Sequence, residues 1–199
     1  MDKQLDQTKL FLQPLAPESN GVEPLFSQVT RDFGRFAHIP RFMMRSAMKK
    51  GILHAVLLTD GMEEFGYAIY QYVPDYEGIH IIYLAINPSY RSHGLGGLLL
   101  ERLNASFPAG LLLEVEDPEH AKNDEDALIS HRRIAFYERN GLHLKNGVKL
   151  SNFGHPLLLM TSQELPELNE QQFRTFYQTL CNRVYRLPLL SLAVKVTYE

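Results

Sequence analysis

The sequence has no tryptophan and a single cysteine, Cys181. One thiol can neither close an internal disulfide nor supply a multi-cysteine metal site, so neither device holds this chain together. An excess of positive charge is missing as well. Twenty Lys and Arg stand against 23 Asp and Glu, a formal net charge of -3, without the basic surplus that draws a protein onto nucleic acid by counterion release. Long hydrophobic runs are absent: the leucines at 98–100 and the stretch 157–160 are interrupted far short of the roughly 18 residues that cross a bilayer. The opening MDKQLDQTKL carries no apolar core of a secretory signal. The expectation from these absences is a soluble, cytoplasmic protein that binds neither nucleic acid nor membrane. What remains is ordinary in composition. With 199 residues, 45% of them hydrophobic and 22% charged, the chain can bury one generous core and is too apolar to stay unfolded.

Periodicity and chain breakers give the organisation, since no internal repeat or low-complexity stretch divides the chain. Residues 9–13 read as a short strand, 24–33 as a helix, and Pro40 opens a second helix that stops before Gly51. The β-rich runs 52–59 and 66–73, joined through Asp60-Gly61, predict an antiparallel pair. Residues 79–86 form a nearly continuous apolar run, which predicts a central strand buried on both faces. Leu95, Leu98, Leu99 and Leu103 then mark a helical stripe that ends at Pro108-Ala109-Gly110. A strand at 111–116 precedes a helix at 124–140, whose first turn is acidic and whose C-terminal cap is Gly141. Strands at 142–150 and 156–160 flank a loop at 151–155. Phe173, Phe176, Tyr177, Leu180, Val184 and Leu187 line a further helix, and beyond Pro188 the period becomes two, from Leu190 to Tyr198.

The class is therefore α+β, with a mixed, mostly antiparallel sheet flanked by helices. The expected division is a main domain over 1–163 and a C-terminal helix and strand over 164–199, packed on that domain or on a partner subunit. A terminal strand with one apolar face needs a sheet edge to cover it, and the expectation is that a second subunit supplies it in a homodimer.

The most informative segment is Asn87-Pro88-Ser89-Tyr90-Arg91-Ser92-His93-Gly94-Leu95-Gly96-Gly97, between a strand and a helix. Glycines there let backbone N–H groups turn toward a ligand, and the helix start adds partial positive charge, an arrangement suited to phosphate. A plain strand-to-helix connection would use glycines too. A nucleotide-triphosphate loop would require Gly-Lys followed by Ser or Thr, which is absent. A dinucleotide fingerprint would require a third Gly or Ala where Leu99 stands, although Glu116 lies near the place of a ribose-binding acid; a nicotinamide enzyme is thus the weaker rival.

Two motifs carry a resemblance to a known family. Arg91-Ser92-His93-Gly94-Leu95-Gly96 fits the pattern Arg or Gln, any, any, Gly, any, Gly or Ala, and Arg133-Ile134-Ala135-Phe136-Tyr137-Glu138-Arg139-Asn140-Gly141-Leu142 resembles a second motif of the same family. Over about residues 52 to 160 the chain resembles the GNAT-type N-acetyltransferases. The resemblance implies acetyl-CoA as cosubstrate, with its pyrophosphate on the backbone amides of Arg91, Ser92, His93, Gly94, Leu95, Gly96 and Gly97. It implies a splayed central pair of parallel strands, 79–86 and 111–116, with backbone near Leu84, Ala85 and Ile86 holding pantetheine. It makes Tyr137 the phenol that protonates the departing sulfur, and it puts Ser130 where relatives often carry an asparagine that binds pantetheine. The implied reaction is acetyl transfer to a primary amine of a small molecule or peptide by direct attack in a ternary complex. The alternative is a non-catalytic acyl-CoA-binding sensor or interaction module.

An amine nucleophile must lose a proton, and two sources for that base are visible. His80 begins the central strand where some relatives carry a glutamate base. Glu114 and Glu116 share one face of the next strand near its C-terminal end, where ligands of parallel sheets collect, and their spacing predicts that mutual repulsion raises one apparent pKa. The glutamates acting through water are the favoured source. Each candidate also has a purely structural reading: a core aromatic for Tyr137, a hydrogen-bonded strand histidine for His80, a solvated strand end for the glutamates. Arg41, Arg45 and Lys49 read as a solvated helix face and Cys181 as a buried, inert thiol.

Overall fold

The computed structural model describes residues 6–34, 37, 39–73, 78–152, 154–163, 169–185 and 194–198. Its strands are β1 (Phe11–Pro14), β2 (His54–Thr59), β3 (Glu64–Tyr72), β4 (Ile79–Ile86), β5 (Leu111–Glu116), β6 (His143–Asn152), β7 (His155–Thr161) and β8 (Val194–Tyr198). Its α-helices are α1 (Val22–Phe33), α2 (Arg41–Lys49), α3 (Leu95–Ser106), α4 (Asp124–Arg139) and α5 (Glu170–Tyr185). The sheet order is β1-β2-β3-β4-β5-β7-β6-β8, mixed and mostly antiparallel. The chain falls into two compact units, Met1–Gln71 with Ile81–Pro108, and Tyr72–His80 with Ala109–Glu199.

In the first unit β1 pairs antiparallel with β2, and β2 with β3. Helix α1 buries Val22, Leu25, Phe26 and Val29, an i, i+3, i+4, i+7 set that places one apolar face inward. It starts two residues before Pro24, which a first helical turn tolerates because its N–H groups have no partner there. Helix α3 buries Leu95, Leu99, Leu100 and Leu103, so Leu100 rather than Leu98 completes the inward stripe. Strand β4 departs from its sequence reading: its N-terminal part is buried, but Leu84, Ala85 and Ile86 are half-buried. The basic residues of α2 are partly engaged, Arg45 with Glu23 and Arg41 Nη2 with Thr30 Oγ1 at 3.3 Å.

In the second unit β4 and β5 run parallel, with Ile79 opposite Leu111 and His80 opposite Leu112. Strand β5 pairs antiparallel with β7, β7 with β6, and β6 with β8. The expected five-residue loop between β6 and β7 is shorter in the fold, because the strands continue until Asn152 pairs with His155. Gly154, at φ +78°, supplies the left-handed backbone of that tight turn; Phe153 lies outside the described residues. The terminal strand finds its edge within the same chain, Val148 facing Tyr198 and Asn152 facing Val194. The part of that alternation at 190–193, with Leu187 and Pro188, lies outside the described residues. No helix among the described residues is long and apolar enough to cross a membrane.

Candidate active site

The glycine-rich loop of the first unit is built on unusual backbone. Ser92 has φ +66°, the one non-glycine residue at positive φ among those described, and Gly94 follows at φ +77° as the N-cap of α3. A left-handed serine costs about 1–2 kcal/mol, and such strain collects where backbone N–H groups must be aimed. No side chain caps the N-terminus of α3, so the amides of its first turn keep their donor capacity toward a ligand, in the concave arrangement that binds anions. The loop is held from outside. Gln7 Nε2 donates to the His93 carbonyl at 2.8 Å, and His93 Nδ1 lies 2.7 Å from the Arg91 carbonyl.

Arg91 is tied down twice, its Nε donating to the Ile86 carbonyl at 3.0 Å and its Nη2 to Asp32 Oδ1 at 3.2 Å. Asp32, at the end of α1, is nearly buried and also accepts from Arg31 and from the Tyr67 hydroxyl at 3.1 Å. Burial, joined by the charge of Asp32 and its hydrogen bond, pushes the Tyr67 phenol far above its ordinary range, so it remains a donor. Nothing in the sequence pattern marked Asp32, Tyr67 or Gln7, since each serves through a distant partner.

Next to this loop β4 presents its edge. Gly66 of β3 makes close approach of that strand possible: a Cβ there would lie 2.7 Å from the Ala85 carbonyl oxygen and 2.6 Å from Ile86 Cδ1. The Asn87 N–H donates to the Phe65 carbonyl at 2.8 Å, so residues 85 and 87 face β3. By the alternation of an extended chain, Leu84 and Ile86 turn their backbone groups the other way.

The second unit holds the titratable candidates. Tyr137 lies in the last turn of α4, and the spacing to Gly141 has a physical basis. The Leu142 N–H donates to the Tyr137 carbonyl and the Gly141 N–H to the Glu138 carbonyl, with Gly141 at φ +83°, the double bond pattern that locks a helix C-terminus. Burial pushes the Tyr137 phenol up to about 12, with the Arg133 cation opposing and the Glu116 charge adding. Its hydroxyl hydrogen-bonds to no described residue. Glu116 itself is bonded to Arg133. Ser130 is buried, with Oγ donating to the Asp126 carbonyl at 3.1 Å, so its hydroxyl proton is spent within the helix.

His80 and Glu114, separate alternatives in the sequence, are one hydrogen-bonded pair. His80 Nε2 lies 2.9 Å from both Glu114 oxygens, and the Tyr177 hydroxyl of α5 donates to Oε1 at 2.5 Å. Burial alone would raise the Glu114 pKa, but the charge and hydrogen bond of His80 and the donor of Tyr177 together hold it below the usual carboxylate range. The expected upward shift from repulsion by Glu116 is therefore not what Glu114 undergoes; its nearer partners decide. Cys181 is buried beside them, its thiol pushed up by burial and by the charge of Glu114. The sequence hid Tyr177 within an apolar stripe, although the hydroxyl of a fully buried tyrosine usually finds a partner.

Comparison with known proteins bears on the fold. Residues 52–141 match the acetyltransferase (GNAT) domain family, a span that contains both the loop and Tyr137. A protein of Bacteroides thetaiotaomicron assigned to the GNAT acetyltransferases superposes with a TM-score of 0.72 at 22% identity, over 88% of this chain and 98% of that one. The spermidine N-acetyltransferase of Vibrio cholerae, solved with CoA and spermine, gives 0.56 at 12% identity over 77% and 95%. An aminoglycoside 6'-N-acetyltransferase solved with coenzyme A gives 0.56 at 17% identity over 80% and 99%. No curated protein sequence matches the chain. The class that these likenesses define is the α+β fold of the GNAT acetyltransferase structures. Residues 52–141 are similar to the acetyltransferase (GNAT) domain.

Proposed function

We propose that this protein transfers an acetyl group from acetyl-CoA to a primary amine by direct attack in a ternary complex. The observation that carries the reading is Tyr137: a half-buried phenol kept neutral to about pH 12, fixed by the capped end of α4, with no described hydrogen-bond partner. A phenol so held keeps its proton at neutral pH and can pass it to the sulfur as the carbon–sulfur bond breaks, the strongly basic phenolate then regaining a proton from water. The residues present fit the cosubstrate. The strained Ser92–Gly94 backbone and the uncapped α3 start match a pyrophosphate, with N–H groups of His93, Gly94, Leu95, Gly96 and Gly97 as donors; Arg91 and Ser92 complete the loop. The β4 edge at Leu84, beside Ala85, matches the amides of pantetheine, and Ile86, whose carbonyl already accepts from Arg91, offers its remaining backbone capacity. Ser130 contributes at most an acceptor, its proton being engaged. Acetyl-CoA, when bound, supplies the activated thioester.

The chain's own residues manage protons. The His80–Glu114 pair takes the proton that the attacking amine must lose, directly or through water, with Glu114 holding His80 in one orientation. Glu116, bonded to Arg133, shapes the field around the Tyr137 phenol. Tyr137 donates its proton to the departing thiolate, so amide and thiol leave together with protons conserved. An amine acceptor, small molecule or peptide, accords with the spermine complex of the Vibrio cholerae relative.

The test is turnover on a panel of primary amines, polyamines included, followed by thiol release. Tyr137→Phe keeps the ring and is expected to bind acetyl-CoA with unchanged affinity while kcat falls on the order of 10²–10⁴. Full activity in that variant, or absence of acetyl transfer to every amine despite acetyl-CoA binding, would refute the reading.

A further inference from the structure

Helix α5 lies beyond the span matched by the acetyltransferase domain, yet it reaches a residue of the candidate machinery. Three elements of one unit converge on the Glu114 carboxylate. His80 comes from β4, Glu114 from β5, and Tyr177 from α5, the last with its side chain fully buried. We propose that Tyr177 is a positioning residue of the active site, its hydroxyl fixing the Glu114 carboxylate that in turn orients His80, so that the C-terminal helix is part of the proton-handling apparatus. The inference rests on the assignment of the base to the His80–Glu114 pair.

The physical case begins with solvation. A carboxylate at this depth holds its proton unless donors stabilise the anion, and β7 offers none in register, since Leu159 stands opposite Glu114. The titratable groups facing Glu114 are His80 from β4, and Tyr177 and Cys181 from α5. Cys181 is neutral, because burial pushes its thiol up, and it adds no charge. The anion therefore depends on two side-chain donors, His80 Nε2 and the Tyr177 hydroxyl, with a smaller contribution from the backbone of Glu114 itself. With Tyr177 satisfying one oxygen, the carboxylate is held rigid and acts as acceptor for the Nε2–H of His80. That geometry sets the imidazole tautomer, as a buried acid does for a catalytic histidine elsewhere.

The test compares wild type with Tyr177→Phe in the full chain, using one amine from the panel so that its own deprotonation contributes equally. Removing a donor from the anion raises the pKa of the pair. The rising limb of kcat/KM against pH is expected to move up by about one unit, and the Glu114 carboxyl midpoint, followed by ¹³C NMR and assigned with Glu114→Gln, to move with it. Unchanged melting and continued protection of Cys181 from a thiol reagent show that α5 remains docked. Tyr177→3-fluorotyrosine, which keeps ring and hydroxyl but is a stronger donor, is expected to move both quantities downward.

A NMR midpoint that stays put in both variants overturns the contact. A midpoint that moves while the kinetic limb does not overturns the positioning role, leaving Tyr177 a structural partner of Glu114. His80→Ala separates this from failure of the underlying assignment. If that variant loses the limb and Tyr177→Phe keeps it, the proposal alone falls. If His80→Ala keeps the wild-type limb, the base assignment falls as well.

Discussion

Asp32 shows how much a single residue can organise. Its side chain is 4% exposed, and it gathers Arg31, Arg91 and the Tyr67 hydroxyl onto one carboxylate. Both arginines are about half exposed, so water screens much of their attraction, and the main effect of the pairings is to orient Arg91 beside the glycine loop. Asp32→Asn puts an N–H₂ group where an acceptor is needed and releases Arg91. The expected outcome is a KM for acetyl-CoA raised about tenfold with kcat nearly unchanged, as befits loss of one charged hydrogen bond in ground-state binding. Steady-state kinetics decide it: an equal fall in kcat would place Asp32 in the chemistry instead of the binding. At this scale the sequence is uneven. Gly94, Tyr137 and Gly141 stand out because backbone demands and motif spacing single them out. Asp32, Gln7 and Tyr177 do not, because each acts on a group far away along the chain.

Among the elements, β3 and β4 share the tightest fit described. Gly66 has ordinary extended backbone, so its requirement is spatial: a Cβ would sit 3.3 Å from Ile86 Cα and closer still to the Ala85 carbonyl. A carbonyl oxygen cannot swing aside as a side-chain end can. Gly66→Ala is expected to destabilise the fold by about 1–3 kcal/mol and to weaken acetyl-CoA binding, because the shift falls on the backbone at Leu84 to Ile86. Denaturant unfolding and calorimetric titration check the two parts; normal affinity with lowered stability would remove this edge from the binding site. The hairpin of β6 and β7 teaches a related lesson. Ser151, Asn152 and His155 look like loop residues by composition, yet they pair because Gly154 completes the turn and the strand partners are already aligned.

For the whole molecule, the buried Glu114 links stability to acidity. Its folded pKa lies below the ordinary value of 4.5, so the native state favours the ionised form more than the unfolded chain does. That contribution is complete above pH 4.5 and disappears as pH falls through the depressed folded value. Melting temperature is therefore expected to drop on acidification below that point, and Glu114→Gln to show a lower but flatter profile there. An equally steep acid slope in Glu114→Gln would assign the loss to other carboxylates. The same molecule closes its terminal strand on itself. With β8 paired to β6, the backbone of residues 194–198 finds a sheet edge within its own chain.

The sequence by itself determined where helices and strands lie, the strand-to-helix glycine loop, and the tyrosine set four residues before a capping glycine. These are local properties: a 3.6 or 2.0 period, a positive φ, a helix end that needs satisfied carbonyls. Only the tertiary structure decided that His80 and Glu114 are a single unit, that Glu116 belongs to Arg133, and that a tyrosine of the tail helix completes the buried pair. Residues 34 and 63 positions apart meet there, and no periodicity along the chain records which side chains a sheet and a docked helix bring within 3 Å, because that proximity is set by burial of the apolar faces around them.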